Sequence, residues 1–362
     1  MSSMKLTTSQ ADLSAALATV RSAVQSGRPS HPILATVLLT ATPGTLSLAG
    51  FDLKTSISTT IAAEVAVEGA AAVPYALLAP LVAKLPAQAA VTIAASGERI
   101  VLATVSGEYS LTALDAADWP ELTEPKATNA VTVPLVELQA AITATAHAAS
   151  RDEAKQILQG IKITLAADGI QAAATDGHRL SLYGAASDAP AITVPAATLR
   201  ELQHLRDSVT ITSDAATIRI ADARTAIVTR ILDGAYPNVQ ALVPETYGTT
   251  IAVDRLALLH AVQRVGILAD THNSVIKLAI DDNLTISADV ELGNGSETLA
   301  IEHTGKAVTL AVNAAYLQDG LRAMTTPQVT ICANTATTPF VIRPVGADTL
   351  QTYLIMPVQV RT

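Results

Sequence analysis

The chain has 362 residues, with 32 acidic and 23 basic side chains and a formal net charge of −9. Because 49% of its residues are hydrophobic and only 15% are charged, it can bury large cores and is not an intrinsically disordered chain. Its acidic balance argues against a strongly basic DNA-reading domain, and an aromatic content of 3% argues against a protein that stacks single-stranded bases.

The single cysteine, Cys332, excludes an internal disulfide and a cysteine-based zinc cluster. Apolar stretches such as LATVLLTA at 34–41 are too short to span a membrane. No basic segment followed by an apolar run marks a secretory signal in the first residues. We therefore expect a cytoplasmic protein that has no membrane partner.

The first predicted elements are a short strand and an amphipathic helix at 8–24, where Leu13 and three further apolar residues recur at helical spacing. Alternating strands follow, of which TLSLAG at 45–50 is the clearest. A proline then marks the start of a second helix, and the same order returns twice further along the chain. The predicted helical segments are 9–28, 74–86, 134–151, 195–206, 253–266 and 313–324.

Three sequence patterns recur at a period of about 120 residues. Val-Thr-Ile begins at Val91, Val209 and Val329, which are 118 and 120 residues apart. The pattern V-[PN]-x-A-x-L begins at Val73, Val194 and Val312, and the apolar helix stripe begins at Leu13, Leu138 and Leu258. Because three different patterns keep one order, the sequence predicts three repeated domains of ordinary size.

Each repeat combines two helices with many strands. This combination predicts an α+β domain whose helices pack on one face of an antiparallel sheet. We place the three domains at 1–125, 126–247 and 248–362. Two polar, proline-bearing segments, at 118–129 and 233–249, are expected to link them.

The predicted helices are more basic than the rest of the chain. They contain nine basic and five acidic residues, although the chain as a whole is acidic. A surface formed by these helices would be weakly positive, which suits contact with phosphates without reading of bases. So small an excess is also common by chance, and the counts alone favour that plainer interpretation.

The segment ATDGHRL at 174–180 follows an alternating strand. Its Asp-Gly step predicts a hairpin turn with His178 and Arg179 exposed just beyond it. Asp176 and His178 would be candidates for a catalytic pair, but no serine or cysteine lies in a recognisable nucleophile elbow. The seven histidines also lack the spacing of a metal site, so no metal or other cofactor is expected.

Several segments match the motifs of one protein family. The strongest are ATDGHRL at 174–180 and YLIMPV at 353–358; supporting matches are GRPSHPIL at 27–34, GTLSLAGFDL at 44–53, LQGI at 158–161 and YPN at 236–238. The chain resembles the bacterial DNA polymerase III β subunit family, the β sliding clamps. ATDGHRL resembles the signature of the family's middle domain, and YLIMPV resembles its terminal tail.

The resemblance implies a DNA-clamp fold in which two crescents of three domains pair head to tail as a homodimeric ring. Helices would line the hole, and the ring would slide on double-stranded DNA without reading its sequence. The implied partners are the DNA polymerase III α subunit, the clamp loader and other proteins with clamp-binding motifs. The chain would tether these proteins and carry out no chemistry itself.

Two sets of binding residues are implied by the resemblance. DNA would be contacted by Arg28, which lies in a matching motif, and by Arg21, Lys84, Arg200, Arg206, Arg255 and Arg264. Peptides would bind between the second and third domains at Leu158, Thr175, Gly177, His178, Arg179, Leu180, Pro237, Leu242, Leu354, Met356, Pro357 and Val358. A methionine-bearing apolar groove suits several partners. Without the resemblance, Leu180, Leu354 and Met356 would be interpreted as ordinary core residues.

One position departs from the family pattern. A basic residue often lies four places beyond the proline of the Tyr-Pro-Asn turn, whereas this chain has Ala241 there. Loss of that side chain would remove a wall and a hydrogen-bond donor from the pocket. The change predicts altered affinity for peptides, or marks a specialised or phage-borne clamp rather than the main replicative one.

The ring interface is expected to join the first domain of one chain to the third domain of the other, in two identical copies. Ile267 and Leu268 would supply its apolar part. Arg99 on one side and Glu297 or Glu302 on the other would supply complementary charge. These charges are equally consistent with an inconsequential rim.

Two alternatives of a different class remain. One is a cytoplasmic enzyme that uses Asp176 and His178. The other is an all-β scaffold or adhesin without DNA, which the triplication alone permits but which ATDGHRL and the terminal motif disfavour.

Overall fold

The computed structural model describes residues 3–27, 29, 31–120, 124–126, 130–166, 169–187, 189–269, 274–291, 293–346 and 351–359. The helices in these residues are α1 Gln10–Val20, α2 Tyr75–Lys84, α3 Leu135–Thr145, α4 Ala196–Leu199, α5 Arg255–Gly266 and α6 Ala314–Ala323. The strands are β1 Met4–Ser9, β2 Thr36–Thr42, β3 Thr45–Phe51, β4 Thr55–Ala62, β5 Glu64–Val67, β6 Gly69–Pro74, β7 Ala90–Ser96, β8 Arg99–Thr104, β9 Gly107–Thr112, β10 Ala130–Pro134, β11 Gly160–Ala166, β12 Gly169–Thr175, β13 Arg179–Tyr183, β14 Ala191–Pro195, β15 Ser208–Ser213, β16 Thr217–Ala221, β17 Thr225–Arg230, β18 Thr249–Asp254, β19 Val275–Ile280, β20 Asn283–Val290, β21 Gly293–Ala300, β22 Glu302–Gly305, β23 Val308–Asn313, β24 Gln328–Ala333, β25 Phe340–Pro344 and β26 Thr352–Ile355.

The chain forms two compact units. The first consists of Met1–Val136 with Ala197–Ile231, and the second of Glu137–Ala196 with Leu232–Thr362. The first unit holds a five-stranded sheet of order β5-β1-β7-β8-β9 and an eight-stranded sheet of order β10-β15-β16-β17-β4-β3-β2-β6. The second unit holds a nine-stranded sheet of order β14-β11-β12-β13-β26-β25-β24-β18-β22 and a four-stranded sheet of order β21-β20-β19-β23. The strand pairs in these sheets are antiparallel, as in β4–β17 and β13–β26.

The threefold repeat has the same strand register in each copy. The Val-Thr-Ile segments lie in β7, β15 and β24, and their isoleucines lie opposite Leu6, Val131 and Ile251 of the strand that precedes the first helix. The helices begin with one equivalent backbone bond in all three copies, from the amide of Gln10, Leu135 or Arg255. Three domains with two helices each are therefore confirmed, and the class is α+β.

The apolar stripes of the first helices bury them against the sheets. Leu13, Leu138 and Leu258 are each 0% exposed, and the residues at helical spacing from them are also buried. Burial of one such leucine stabilises the fold by roughly 1.5–3 kcal/mol. The helical spacing of apolar residues in the sequence therefore correctly identifies the buried face of these helices.

The predicted helices are longer than the observed ones. The α-helical part of 9–28 ends at Val20, because the chain tightens into a 3-10 turn at Arg21–Ala23 and becomes extended at Val24. The segment 195–206 holds one α-helical turn, followed by a 3-10 helix at Arg200–His204. Over a few residues, α-helical and 3-10 turns have a similar spacing of apolar side chains, so periodicity in the sequence does not distinguish one from the other. None of the described helices is long and apolar enough to cross a membrane.

Candidate functional site

The ATDGHRL segment forms the predicted turn between β12 and β13. The Asp176 carboxylate accepts hydrogen bonds from the backbone amides of His178 (2.9 Å) and Arg179 (3.0 Å). Gly177 takes a positive φ of +95°, which glycine adopts without strain. Thr175 Oγ1 donates to the Arg179 carbonyl at 2.7 Å. These bonds commit Asp176 to the turn, so it does not orient His178 as a catalytic partner.

The prediction that Arg179 is exposed is wrong: the residue is only 7% exposed and forms the buried centre of the site. Its Nε lies 3.0 Å from Asp176 Oδ2, and its Nη1 lies 2.7 Å from Asp319 Oδ2 on α6. Its guanidinium also lies 4.4 Å from the ring centroid of Tyr316. Burial alone would lower the pKa of Arg179, but Tyr353, Asp319 and Asp176 raise it above the ordinary value. The cation is therefore fully compensated and rigidly held.

The strand pair β13–β26 forms the floor beneath this turn. Leu180 lies opposite Leu354, and both belong to an apolar cluster with Val239 and Val341. Leu180 is 1% and Leu354 is 2% exposed, so both are core residues beneath the surface. Their burial supports the interpretation that these two side chains are ordinary core residues.

Met356 and Leu242 are exposed apolar side chains among the predicted pocket residues. Met356 is 41% and Leu242 is 53% exposed. The backbone amide of Met356 donates to the His178 carbonyl at 2.9 Å, which fixes the terminal segment beside the turn. An exposed methionine next to a rigid polar turn can accommodate varied apolar side chains.

The remaining predicted pocket residues differ in position. Leu158 is half-buried in a 3-10 turn at Gln156–Gln159, and Pro237 is exposed. Pro357 and Val358 are half-buried, and the Val358 amide donates to Ala311 on β23 at 2.8 Å. Val358 therefore also lines a cleft on the four-stranded sheet. It follows Met356, the residue whose amide bonds to the 175–178 turn, by two positions in the chain.

Several neighbours of the turn were missed from sequence. Lys155 Nζ donates to the Asp176 carbonyl at 3.1 Å, and the Tyr236 hydroxyl accepts from the Thr175 amide at 3.1 Å. Burial raises the pKa of Tyr236 to about 12. Tyr316 stacks on His178 with ring centroids 6.4 Å apart. Tyr236 lies in the YPN motif at 236–238, which gave no sign of its contact with Thr175. No local motif marks Lys155 or Tyr316, because tertiary packing alone brings them to the turn.

His147 lies beneath the site, against Tyr353, with ring centroids 5.0 Å apart. Neither ring nitrogen makes a hydrogen bond of standard geometry with the described residues, although the backbone of Thr143 comes close enough to favour the charged form slightly. Burial, and then the nearby Arg179 cation, lowers the pKa of His147 to about 4. The ring is therefore neutral at pH 7.

The predicted DNA-binding cations divide into two groups. Lys84, Arg200 and Arg206 are exposed, and exposed Arg21 lies 5.3 Å from the Tyr75 ring centroid. Arg28 lies outside the described residues.

Two further predicted DNA-binding cations, Arg255 and Arg264, already have partners within the chain. Arg255 donates to the carbonyls of Thr326 (2.8 Å) and Leu321 (3.0 Å), so it closes the end of α6. Arg264 forms two bonds of 2.7 and 2.6 Å with Glu297. This pair raises the pKa of Arg264 and lowers that of Glu297. Arg255 and Arg264 are thus not free cations, and Glu297 is not a free interface carboxylate.

Three repeats of this architecture are the fold of the DNA-clamp proteins. Family models of the DNA polymerase III beta subunit match the N-terminal domain at residues 4–123, the central domain at 132–238 and the C-terminal domain at 240–359. The beta sliding clamp of Synechococcus elongatus is 36% identical over 377 residues, which cover 99% of this chain and 100% of that protein. The beta sliding clamp of Synechocystis is 31% identical, with coverage of 98% and 99%. The crystal structure of the Bacillus subtilis DNA polymerase sliding clamp aligns with a TM-score of 0.92 at 26% identity, covering 99% of this chain and 100% of that chain.

The chain belongs to the DNA polymerase III beta subunit family, the beta sliding clamps. It is therefore a DNA sliding clamp, an accessory processivity factor and not itself an enzyme. The comparisons give no sign of an enzyme built on Asp176 and His178.

Proposed function

We propose that two copies of this chain close head to tail around duplex DNA and slide along it, independently of its sequence, in the bacterial cytoplasm. The observation that carries the proposal is the match to beta sliding clamps over 99% of the chain. The same match supports three domains near 1–125, 126–247 and 248–362. The ring would hold DNA by topology, so its lining needs only weak positive charge.

Two free sheet edges support closure of the ring. β9 is the last strand of the five-stranded sheet, and β21 is the last strand of the four-stranded sheet. Pairing β9 of one copy with β21 of the other would satisfy both edges, and would do so twice in a twofold dimer. Tyr109 on β9 is 38% exposed, which leaves an aromatic side chain for this contact.

The apolar part of the interface would come from Ile267 and Leu268. Ile267 is 81% exposed, as expected of a side chain that another subunit covers. Leu268 lies against β21, where a side chain at Gly295 would stand 2.6 Å from its Cδ1 atom. Gly295 thus keeps room for Leu268, whereas a side chain at Gly293 would meet Leu268 Cδ2 at an ordinary 3.7 Å.

The predicted charges at the interface need revision. Arg99 begins β8 and pairs with Thr112 of the edge strand β9, so it remains a candidate. Glu302 belongs to β22, in the nine-stranded sheet rather than the sheet of β21. Glu297 is already paired with Arg264. We retain Arg99, Ile267 and Leu268.

Duplex DNA would be contacted by the exposed cations Arg21, Lys84, Arg200 and Arg206, together with Arg28. Peptides of the DNA polymerase III α subunit, the clamp loader and other partners would bind beside Met356 and the 175–178 turn. The exposed apolar side chains and the rigid polar turn support this assignment.

Retention on DNA tests the ring. The chain would be loaded on closed circular duplex DNA with a bacterial clamp loader and ATP, and the DNA would then be cut once. Release upon cutting is expected, since a topological link has no end to slide from until the circle is opened. An Ile267→Asp variant should fail to stay on the circle, whereas Ala336→Asp, in the exposed turn between β24 and β25, should behave as wild type. Equal retention on circular and linear DNA would contradict the proposal.

A further inference from the structure

Among its described residues, the middle repeat shows no equivalent of one strand that the other two repeats have. In the first repeat β5 pairs with the outer edge of β1, and in the third β22 pairs with the outer edge of β18. The equivalent strand of the middle repeat is β10, which pairs with β15 alone among the described residues. One edge of β10 is therefore open within the part of the chain that the structure describes.

The open edge also exposes side chains that are core residues in the other repeats. Leu6, Val131 and Ile251 occupy the same register, each opposite the isoleucine of its Val-Thr-Ile strand. Leu6 is 1% and Ile251 is 0% exposed, whereas Val131 is 42% exposed. An apolar β-branched side chain on an uncovered edge is a feature that proteins ordinarily avoid.

The backbone of this edge is available for hydrogen bonding. The amide of Leu135 donates to Asp207 on the side of β15, and in an antiparallel pair successive residues alternate their backbone groups between the two sides. Thr132, three residues earlier, therefore directs its N–H and C=O to the open edge. The 3.3 Å approach of the Thr132 and Thr210 hydroxyl oxygens fits a pair without mutual backbone bonds.

The other repeats show what fits such an edge. Glu64 of β5 lies opposite Thr7, and Glu302 of β22 lies opposite Ala252. Thr7 and Ala252 both correspond to Thr132. In β5 the next residue, Val65, lies opposite Leu6. Both segments are short, antiparallel and begin with glutamate; β5 continues with apolar residues, Glu-Val-Ala-Val, whereas β22 continues as Glu-His-Thr-Gly. We take the apolar segment β5 as the template, because Val131 is apolar.

We infer that the open edge of β10 binds an extended segment of a partner protein as an added antiparallel strand. The partner's segment has the pattern of β5, with an apolar residue against Val131 and its backbone bonded to Thr132. Main-chain bonds provide the affinity in this mode of recognition, and alternate side chains provide the specificity. The inference does not depend on ring closure, because β10 contains none of the residues assigned to the ring interface.

The test uses a fluorescent peptide with the sequence of residues 62–69, AAEVAVEG, titrated into the full-length chain. Saturable binding is expected, together with slower amide exchange in residues 130–134. Thr132→Pro removes an amide that faces the open edge and is tolerated at strand edges; it should weaken binding by about tenfold or more. Val131→Lys should weaken it similarly, and its exposed position spares the fold.

Val105→Lys is the matched control, since Val105 is fully exposed in the β8–β9 turn, and it should bind the peptide as wild type does. A peptide with prolines in place of both valines, AAEPAPEG, should not bind. The inference is overturned if wild type shows no saturation, or if both β10 variants bind equally well. Association of wild type beyond the dimer that Val131→Lys abolishes would assign the edge to a second copy of this chain and would also overturn it.

Discussion

Arg179 and Asp319 lie 140 residues apart in the chain, and their side chains meet with 2.7 Å between Nη1 and Oδ2. The contact joins the turn after β12 to helix α6, within the second unit. Asp176 and the Tyr316 ring complete the surroundings of the guanidinium. This arrangement links the family's signature turn to the third repeat through one buried cation.

Replacing Asp319 with alanine should destabilise the chain. The Arg179 side chain is only 8% exposed, so it would lose one of its two carboxylate partners without gaining free access to water. We expect a loss of about 1–2 kcal/mol in the free energy of unfolding, measured with urea. Arg322→Ala is the control, because Arg322 is 51% exposed and lies 3.6 Å from Asp319; it should cost less than about 0.5 kcal/mol. Equal effects of the two variants would contradict the central role of Arg179.

His147 should make stability depend on pH. Its pKa is about 4 in the folded chain against 6.5 in the unfolded one, so between these values the unfolded state binds more protons. The stabilisation is complete above pH 6.5 and is lost as the pH falls toward 4, by at most about 3 kcal/mol. His147→Phe should remove this slope while keeping a ring against Tyr353.

Urea unfolding from pH 7.5 to 4.5 would measure the effect of His147. The exposed His260→Gln should leave the pH slope as in wild type. If His147→Phe kept the full slope, the acid sensitivity would arise from other groups.

The sequence predicted those features that depend on local periodicity. The buried positions of α1, α3 and α5 follow the apolar stripe, and the turn at 176–178 follows from an Asp-Gly step between alternating strands. Repetition strengthened these predictions, because each element could be checked against two copies of itself. Helix ends were less well predicted, since 3-10 turns continue the same spacing.

The sequence did not predict which partners the charged side chains bond to. Arg264 was assigned to DNA, but it lies against Glu297 across 33 residues of chain, and Arg255 bonds carbonyls near the end of α6. Each pairing depends on how a helix packs on a distant element, and charge type alone does not encode it. The sequence likewise did not predict the open edge of β10, because Val131 is an apolar residue like Leu6 and Ile251.

Gly320 should tolerate no side chain. A methyl group there would overlap the Cδ1 and Cε1 atoms of the Tyr353 ring, which is 0% exposed. Alanine is normally the better helix former by about 1 kcal/mol, yet we expect Gly320→Ala to lower the melting temperature, with an overpacking cost of about 1–3 kcal/mol.

Gly266→Ala is the matched control for Gly320→Ala, because its methyl would meet Ala314 Cβ at an ordinary 3.4 Å. It should be neutral or slightly stabilising. A melting temperature raised equally by both substitutions would show that Tyr353 can move aside.

Ala241→Arg should strengthen peptide binding beside Met356. Ala241 is exposed in the short turn Gln240–Leu242, where the family often has a basic residue. A guanidinium there would add a wall and several donors to a site whose buried cation, Arg179, is already occupied by carboxylates. We expect affinity for a standard clamp-binding peptide to rise about fivefold, or about 1 kcal/mol, in fluorescence anisotropy. Ala241→Met adds length without charge and should give a smaller gain; an unchanged affinity in Ala241→Arg would mean that the wild-type pocket has already compensated for the missing basic residue.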